Sequence, residues 1–378
     1  MNVYLDYAAT TPLEPLVLEA MLPALNADYG NPASLHRAGQ RARNVVETAR
    51  EQLAAAIKAK PRDLTFTSGA TEADNHALRA YASRFPGGHI VTSKLEHAAV
   101  LSTCQYLEAQ GWRVTYLKPN ARGEITPDAV QEALQPDTFL VALMLVNNET
   151  GVITDIPAIS QAVHEAGAVL FCDAVQAFGV MDVDVQQLGA DMLALSAHKV
   201  YGPKGVGALY VRNGLELPPF LLGGEQERGL RAGTLNVPAI VGFGRAAELA
   251  QERLETAPLE LARLRDRLEA HLLKTDGVSF NAPGAPRSPK HLNVRIAGVD
   301  GEDLLMGLDA AGVYVSAGSA CAAGTLEPSH VLLAMGLSHC EAKASIRLSL
   351  GRGVTDEMVD FAAGAFAEVM ERCRAYVR

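Results

Sequence analysis

Residues 168–199 read AVLFCDAVQAFGVMDVDVQQLGADMLALSAHK, and this stretch decides the fold. An apolar run from Ala168 to Cys172 reads as a buried strand and stops at Asp173. A second apolar run, Asp191 to Ser196, stops at Ser196-Ala197-His198-Lys199. Polar groups just past buried strands are what an open parallel sheet shows, because such sheets bind ligands beyond the carboxyl ends of their strands. The alternation extends in both directions. Strands are expected at Leu64–Thr67, His89–Thr92, Trp112–Leu117 and Phe139–Val146, and helices at 98–110, 126–134 and 156–166 between them. Ala208–Val211 adds a further strand. The expected class is α/β, with a mostly parallel central sheet covered by helices.

Past Pro238 the pattern weakens. A helical stretch at 239–273 contains Pro258, which is expected to kink or break it. Strands near 291–296, 313–315 and 344–349, with helices near 328–336 and 355–373, predict a smaller α+β domain. The expected division is residues 16–250 for the large domain, and 1–15 with 251–378 for the small one.

Composition narrows the function. The 378 residues are 48% hydrophobic, enough for a substantial core, and the net charge of −10 argues against a nucleic-acid surface. No apolar run reaches the roughly 18 residues of a membrane span, and MNVYLDYAATTPLEP lacks the pattern of a signal peptide. The cysteines, 104, 172, 321, 340 and 373, are odd in number and form no CxxC pair. A reduced, cytoplasmic chain without disulfides or a zinc site is the simpler expectation.

Five polar clusters follow the expected strands: Ser68-Gly69-Ala70-Thr71-Glu72, Ser93 to His97, Asn147 to Gly151, Asp173 to Gln176, and Ser196 to Lys199. Together they describe one pocket. Gly69 permits a tight turn, and the amides of Ala70 and Thr71 are free donors that can hold a phosphate. Plain helix capping by Ser68 or Thr71 explains the same letters. Asp173 can cap a helix or hold a protonated ring nitrogen. Lys199 can neutralise charge or condense with an aldehyde. His97 has no companion histidine at metal-binding spacing, which leaves a base or a stacking ring. Lysine, aspartate, phosphate turn and stacking ring are what pyridoxal phosphate requires. Cys321 stands apart, in the small-residue stretch GSACAAGT at 318–325.

Taken together, the ordered motifs YLDYAATTP (4–12), YGNPASLH (29–36), FTSGATE (66–72), EH (96–97), NNETG (147–151), DAVQ (173–176), SAHKVYGPKG (196–205), ERGLRAGT (227–234), GSAC (318–321), LEPSHVL (326–332) and SIRLSLGR (345–352) span nearly the whole chain. The chain resembles the pyridoxal-phosphate-dependent cysteine desulfurases, the NifS/IscS-like group of the class V aminotransferase superfamily. The resemblance implies the fold type I architecture of pyridoxal-phosphate enzymes, working as a homodimer. It implies Lys199 as the lysine that takes the cofactor's aldehyde, Asp173 on the pyridine nitrogen, His97 against the ring, and Gln176 on the 3′ oxygen. It implies Thr71, Ser196 and His198 on the phosphate, with Thr234 reaching the other subunit's phosphate. Asn148 and Arg347 would bind the carboxylate of L-cysteine. Cys321 would take the substrate's sulfur as a persulfide and pass it to an acceptor or iron–sulfur scaffold protein. Ala98 after His97, Glu225 within GGEQE, and the CAAGT run depart from the family's pattern.

Overall fold

The computed structural model describes residues 1–317 and 327–376. Its described strands are β1 (Val3–Tyr4), β2 (Leu64–Thr67), β3 (His89–Ser93), β4 (Arg113–Leu117), β5 (Thr138–Met144), β6 (Val169–Asp173), β7 (Met192–Ser196), β8 (Gly207–Val211), β9 (Val278–Phe280), β10 (His291–Ile296), β11 (Val313–Tyr314) and β12 (Ser345–Ser349). Seven of them form one sheet in the order β2-β8-β7-β6-β5-β3-β4. β8 runs antiparallel to both neighbours, and the other pairings are parallel. The short connection from β7 to β8 carries no crossover helix, so β8 has to return antiparallel. The expected mostly parallel sheet is present.

β5, β6 and β7 are buried along their whole length. Alternate residues feed two cores on opposite faces, Val141 and Leu170 in one, Leu140 and Phe171 in the other. The first core is closed by the helices Arg37–Ala56 and Val237–Glu252, through Val46, Leu53 and Phe243.

The expected long helix at 239–273 is two helices, Val237–Glu252 and Ala257–Leu272. Pro258 sits in the first turn of the second, where its missing N–H costs nothing. That second helix packs on the antiparallel sheet β12-β10-β9, burying Leu264 and Leu268 with Leu292, Val294, Ile346 and Phe366. The large-sheet and small-sheet cores support the division at 16–250 and 1–15 plus 251–378, which we propose as the domain organisation. The N-terminal segment links the two regions. β1 pairs in parallel with β11, Asp6 bridges to Ser349, and Thr11 N donates to His198 O. Residues 6–11 therefore lie across the ends of β6 and β7.

Candidate active site

The strand ends converge as their sequence implied. Ala70, Thr71, His97, Asn148, Asp173, Gln176, Ser196, His198, Lys199 and Arg347 all line one cavity of about 740 Å³. Thr234 is exposed and does not line it. Cys321, with the whole GSACAAGT stretch, lies outside the described residues. Its flanks do not: Ser316 and His330 line the cavity. Ser316 pairs through its backbone with Arg347, at 2.7 and 3.2 Å. Ser329 Oγ donates to Glu149 Oε2, and a ring nitrogen of His330 sits 3.0 Å from Glu96 O.

The turn after β2 is built by glycine. Helix Ala70–Asn75 starts at Gly69 with no side chain capping it, so neither Ser68 nor Thr71 acts as the cap. Glu72 instead reaches back to accept from Ser68 N at 2.8 Å. A Cβ on Gly207 would lie 2.6 Å from the Gly69 carbonyl carbon, so β8 passes under the turn only as glycine. Gly69, Ala70 and Thr71 line the cavity, and the first amides of a helix are free donors that an anion can take.

Lys199 projects from the turn after β7, and its Nζ donates to Ala8 O and Ala9 O, both at 2.7 Å. Burial brings this amine down to about 8, and the positive charge of Arg347 pushes the same way. Two carbonyls hold the amine in place, and the Asp173 and Asp6 carboxylates oppose part of that fall. Asp173 closes β6, buried at the cavity wall, and accepts a hydrogen bond from Val175 N at 2.9 Å. Burial raises its carboxyl, while the Val175 amide, His97 and Lys199 oppose that rise. Two further acids, Glu96 and Asp74, interact with it electrostatically and are each only 1% exposed. Burial pushes Glu96 up to about 8, and it pushes Asp74 well above the carboxylate range with help from Asp173 and Glu96. His97 heads the helix Ala98–Ala109, its Nδ1 accepting from Ala99 N, and burial lowers it. His198 is lowered to about 4 by burial and by Lys199, so it stays neutral.

Arg347 leaves β12 and is almost fully buried, with its side chain 5% exposed. One nitrogen donates to Asp6 Oδ1 at 2.6 Å and another to Asn148 O at 3.0 Å. Its Nε is buried without a partner. Asp6 and the Ala8 and Ala9 carbonyls are site components that reading by residue type missed. They lie inside the YLDYAATTP motif, which was the available signal. Glu149 and Glu96 were missed in the same way, inside NNETG and EH, while Asp74 lies two residues past FTSGATE.

The open valences match pyridoxal phosphate. Asp173 can accept from a protonated ring nitrogen. Gln176 donates from Nε2 to Ala8 O and keeps a buried Oε1 without a partner, so the amide has capacity left for a ring substituent. Hydroxyls of Thr71 and Ser196, a neutral His198 and the amides at the helix start form a set of phosphate donors.

Comparison with known proteins agrees. The aminotransferase class-V family matches residues 3–361. A cysteine desulfurase IscS of Methanosarcina thermophila is 45% identical over 98% of this chain and 93% of its own. One from Anaeromyxobacter sp. (strain K) is 47% identical, over 98% and 93%. A solved NifS-like protein superposes with a TM-score of 0.93 at 37% identity, covering 98% of this chain and all of its own. A family match of that extent, on a cavity whose free groups suit the same cofactor, is decisive: the chain belongs to the pyridoxal-phosphate-dependent class-V aminotransferase family.

Proposed function

We propose that this chain is a cysteine desulfurase that converts L-cysteine to L-alanine and takes the sulfur on Cys321. The observation that carries this reading is one cavity joining Lys199, Asp173, His97 and Arg347, with the chain on both sides of Cys321 anchored at its rim. A solved relative, 39% identical over 92% of this chain, is described as SspA in complex with cysteine, which fits the same substrate.

Bound here, pyridoxal phosphate supplies an aldehyde for the substrate's amine and an electron-withdrawing ring. Lys199 holds the cofactor at rest. Its pKa, brought down to about 8, gives the amine a substantial neutral fraction around pH 8, in which form it could take the Cα proton. Asp173 keeps a proton on the ring nitrogen, and its burial concentrates that interaction. Thr71, Ser196, His198 and the Ala70 amide hold the phosphate. Gln176 binds the 3′ oxygen, and His97 packs on the ring. Arg347 grips the substrate carboxylate with a planar fork, assisted by Asn148, and gives up part of its bond to Asp6 to do so. The Cys321 thiolate attacks the substrate's sulfur. An S–S bond forms as the C–S bond breaks, its electron pair stays on carbon, and protonation there gives alanine's methyl group. A soft nucleophile is required because the product is a persulfide.

The working unit is a homodimer. Leu16, Leu18, Leu22 and Leu25 on the helix Pro15–Asn26 are between 41% and 53% exposed, and Tyr29, Leu35 and Leu222 exceed that. Such a set of exposed apolar side chains favours burial against a second copy. Thr234, exposed in one chain, then reaches the partner's phosphate. The persulfide passes to an acceptor or iron–sulfur scaffold protein, in the cytoplasm, where free cysteines stay reduced. No helix among the described residues is long and apolar enough to cross a membrane.

The test is alanine and sulfide release from L-cysteine by the purified, cofactor-loaded protein, beside Cys321→Ser. The variant is expected to change the cofactor's absorption on adding cysteine while turnover collapses by at least about 100-fold. Undiminished turnover overturns the assignment of Cys321.

A further inference from the structure

The segment from Glu225 to Thr234 has a backbone that needs an explanation. Glu227, Arg228 and Gly229 are left-handed in succession, with φ of 49°, 57° and 79°. Side-chain-bearing residues avoid this region, and strain of this kind persists only where surrounding contacts over-determine it. The contacts are present. The Glu227 side chain is 1% exposed and forms a two-pronged ion pair with Arg50, at 2.7 and 2.8 Å, whose own side chain is 3% exposed. Glu227 also accepts from Phe66 N at 2.8 Å. Arg50 donates to Leu64 O at 3.0 Å and lies over the Phe66 ring. Arg228 donates to Leu64 O as well. These groups are the free backbone valences of β2, the edge strand of the large sheet. The strained loop therefore closes that edge with side chains where another strand would otherwise pair.

A second clamp lies further along. Arg231 forms a two-pronged pair with Glu72, at 2.7 and 3.1 Å. Glu72 is on the short helix whose first residues, Ala70 and Thr71, line the cavity. One strand–turn–helix unit thus carries Thr71 and the helix-start amides, part of this chain's set of phosphate donors, and, through two ion pairs, the loop ending at Thr234.

We propose that Arg50, Glu227 and Arg231 are positioning residues for the reaction, which fix the loop 225–234 on the phosphate turn so that Thr234 is presented, pre-formed, to the cofactor phosphate of a second copy. This rests on the homodimer reading above. None of the three touches the cofactor; each acts through Thr234.

The test is titration of the cofactor-free dimer with pyridoxal phosphate, and separately with pyridoxal, which lacks the phosphate. The proteins are wild type, Glu227→Gln, Thr234→Ala and the double variant, with mass checked by light scattering. Each single change is expected to raise the Kd for pyridoxal phosphate about tenfold. The double variant should be no worse than Thr234→Ala, because residues that act through one another are not additive. Pyridoxal should bind all four alike, which a general loss of structure would not allow. An unchanged Glu227→Gln beside a weakened Thr234→Ala, or fully additive losses, overturns the positioning role alone. A Thr234→Ala that binds as wild type overturns the inter-subunit reading and the proposal with it. Arg231→Gln, removing a half-buried pair, repeats the cycle should Glu227→Gln not fold.

Discussion

Lys199 shows how little chemistry is needed to prepare an amine. Two carbonyls hold it, and burial beside Arg347 brings it to about 8 against the opposing pull of Asp173 and Asp6. The consequence is a pH dependence. A base with a lowered pKa is neutral, hence nucleophilic, only above that value. The rate at which cofactor-free protein captures pyridoxal phosphate should therefore rise through pH 8 and level off near 9, read as growth of the visible absorption band. A rate independent of pH between 7 and 9 would contradict this environment. Lys199 and Asp173 were legible in the sequence because each is a polar residue ending an apolar run. The carbonyls of Ala8 and Ala9 were not, since a backbone acceptor leaves no mark in residue type and these lie some 190 positions away. Arg347 was legible through its motif, but its bond to Asp6 was hidden by a separation of 341 residues.

At the scale of the element, the turn after β2 depends on β8. Gly207 has backbone of the turn within 2.6 Å of where its Cβ would be, and backbone cannot move aside as a flexible side chain can. Gly207→Ala is expected to cost about 1–3 kcal/mol of stability by urea denaturation, as overpacking does. It should also weaken pyridoxal phosphate more than pyridoxal, because the displaced atoms belong to the turn proposed to hold the phosphate. Strong periodicity made most elements readable: β10 was expected at its observed limits, because alternation between Leu292, Val294 and Ile296 and the polar positions between them is unbroken. β9 was not expected. Its three residues are all half-buried on a sheet edge, so they carry no alternation to read. The helix break before Pro258 was foreseen as a kink or stop, and the structure makes it a stop with proline in the new first turn.

Across the whole molecule, the fold has taken several acids out of water near the cavity: Asp74 and Asp173 line it, and Glu96, next to His97 in the chain, is buried. Glu96 is raised from 4.5 to about 8 by burial. A carboxyl with a raised folded pKa binds its proton more tightly in the native state, so it penalises folding progressively as pH climbs from about 4.5 to about 8. The penalty above that window is on the order of 5 kcal/mol. Buried bases such as His198 and Lys290 titrate with the opposite sign, so the contribution of Glu96 is read as a difference between variants. In cofactor-free protein, Glu96→Gln should gain stability over wild type steadily between pH 5 and 8, measured by thermal melting. A gap that stays constant across that range would show that the group does not titrate there. The anchoring of the chain at Ser316 and Ser329 has a kinetic corollary. In the reaction proposed above, a thiol carried between these two anchors is an intramolecular reactant, with an effective concentration on the order of millimolar. On that proposal, dissolved thiols at micromolar levels should not compete for the substrate's sulfur, and the tether fixes the route that sulfur takes.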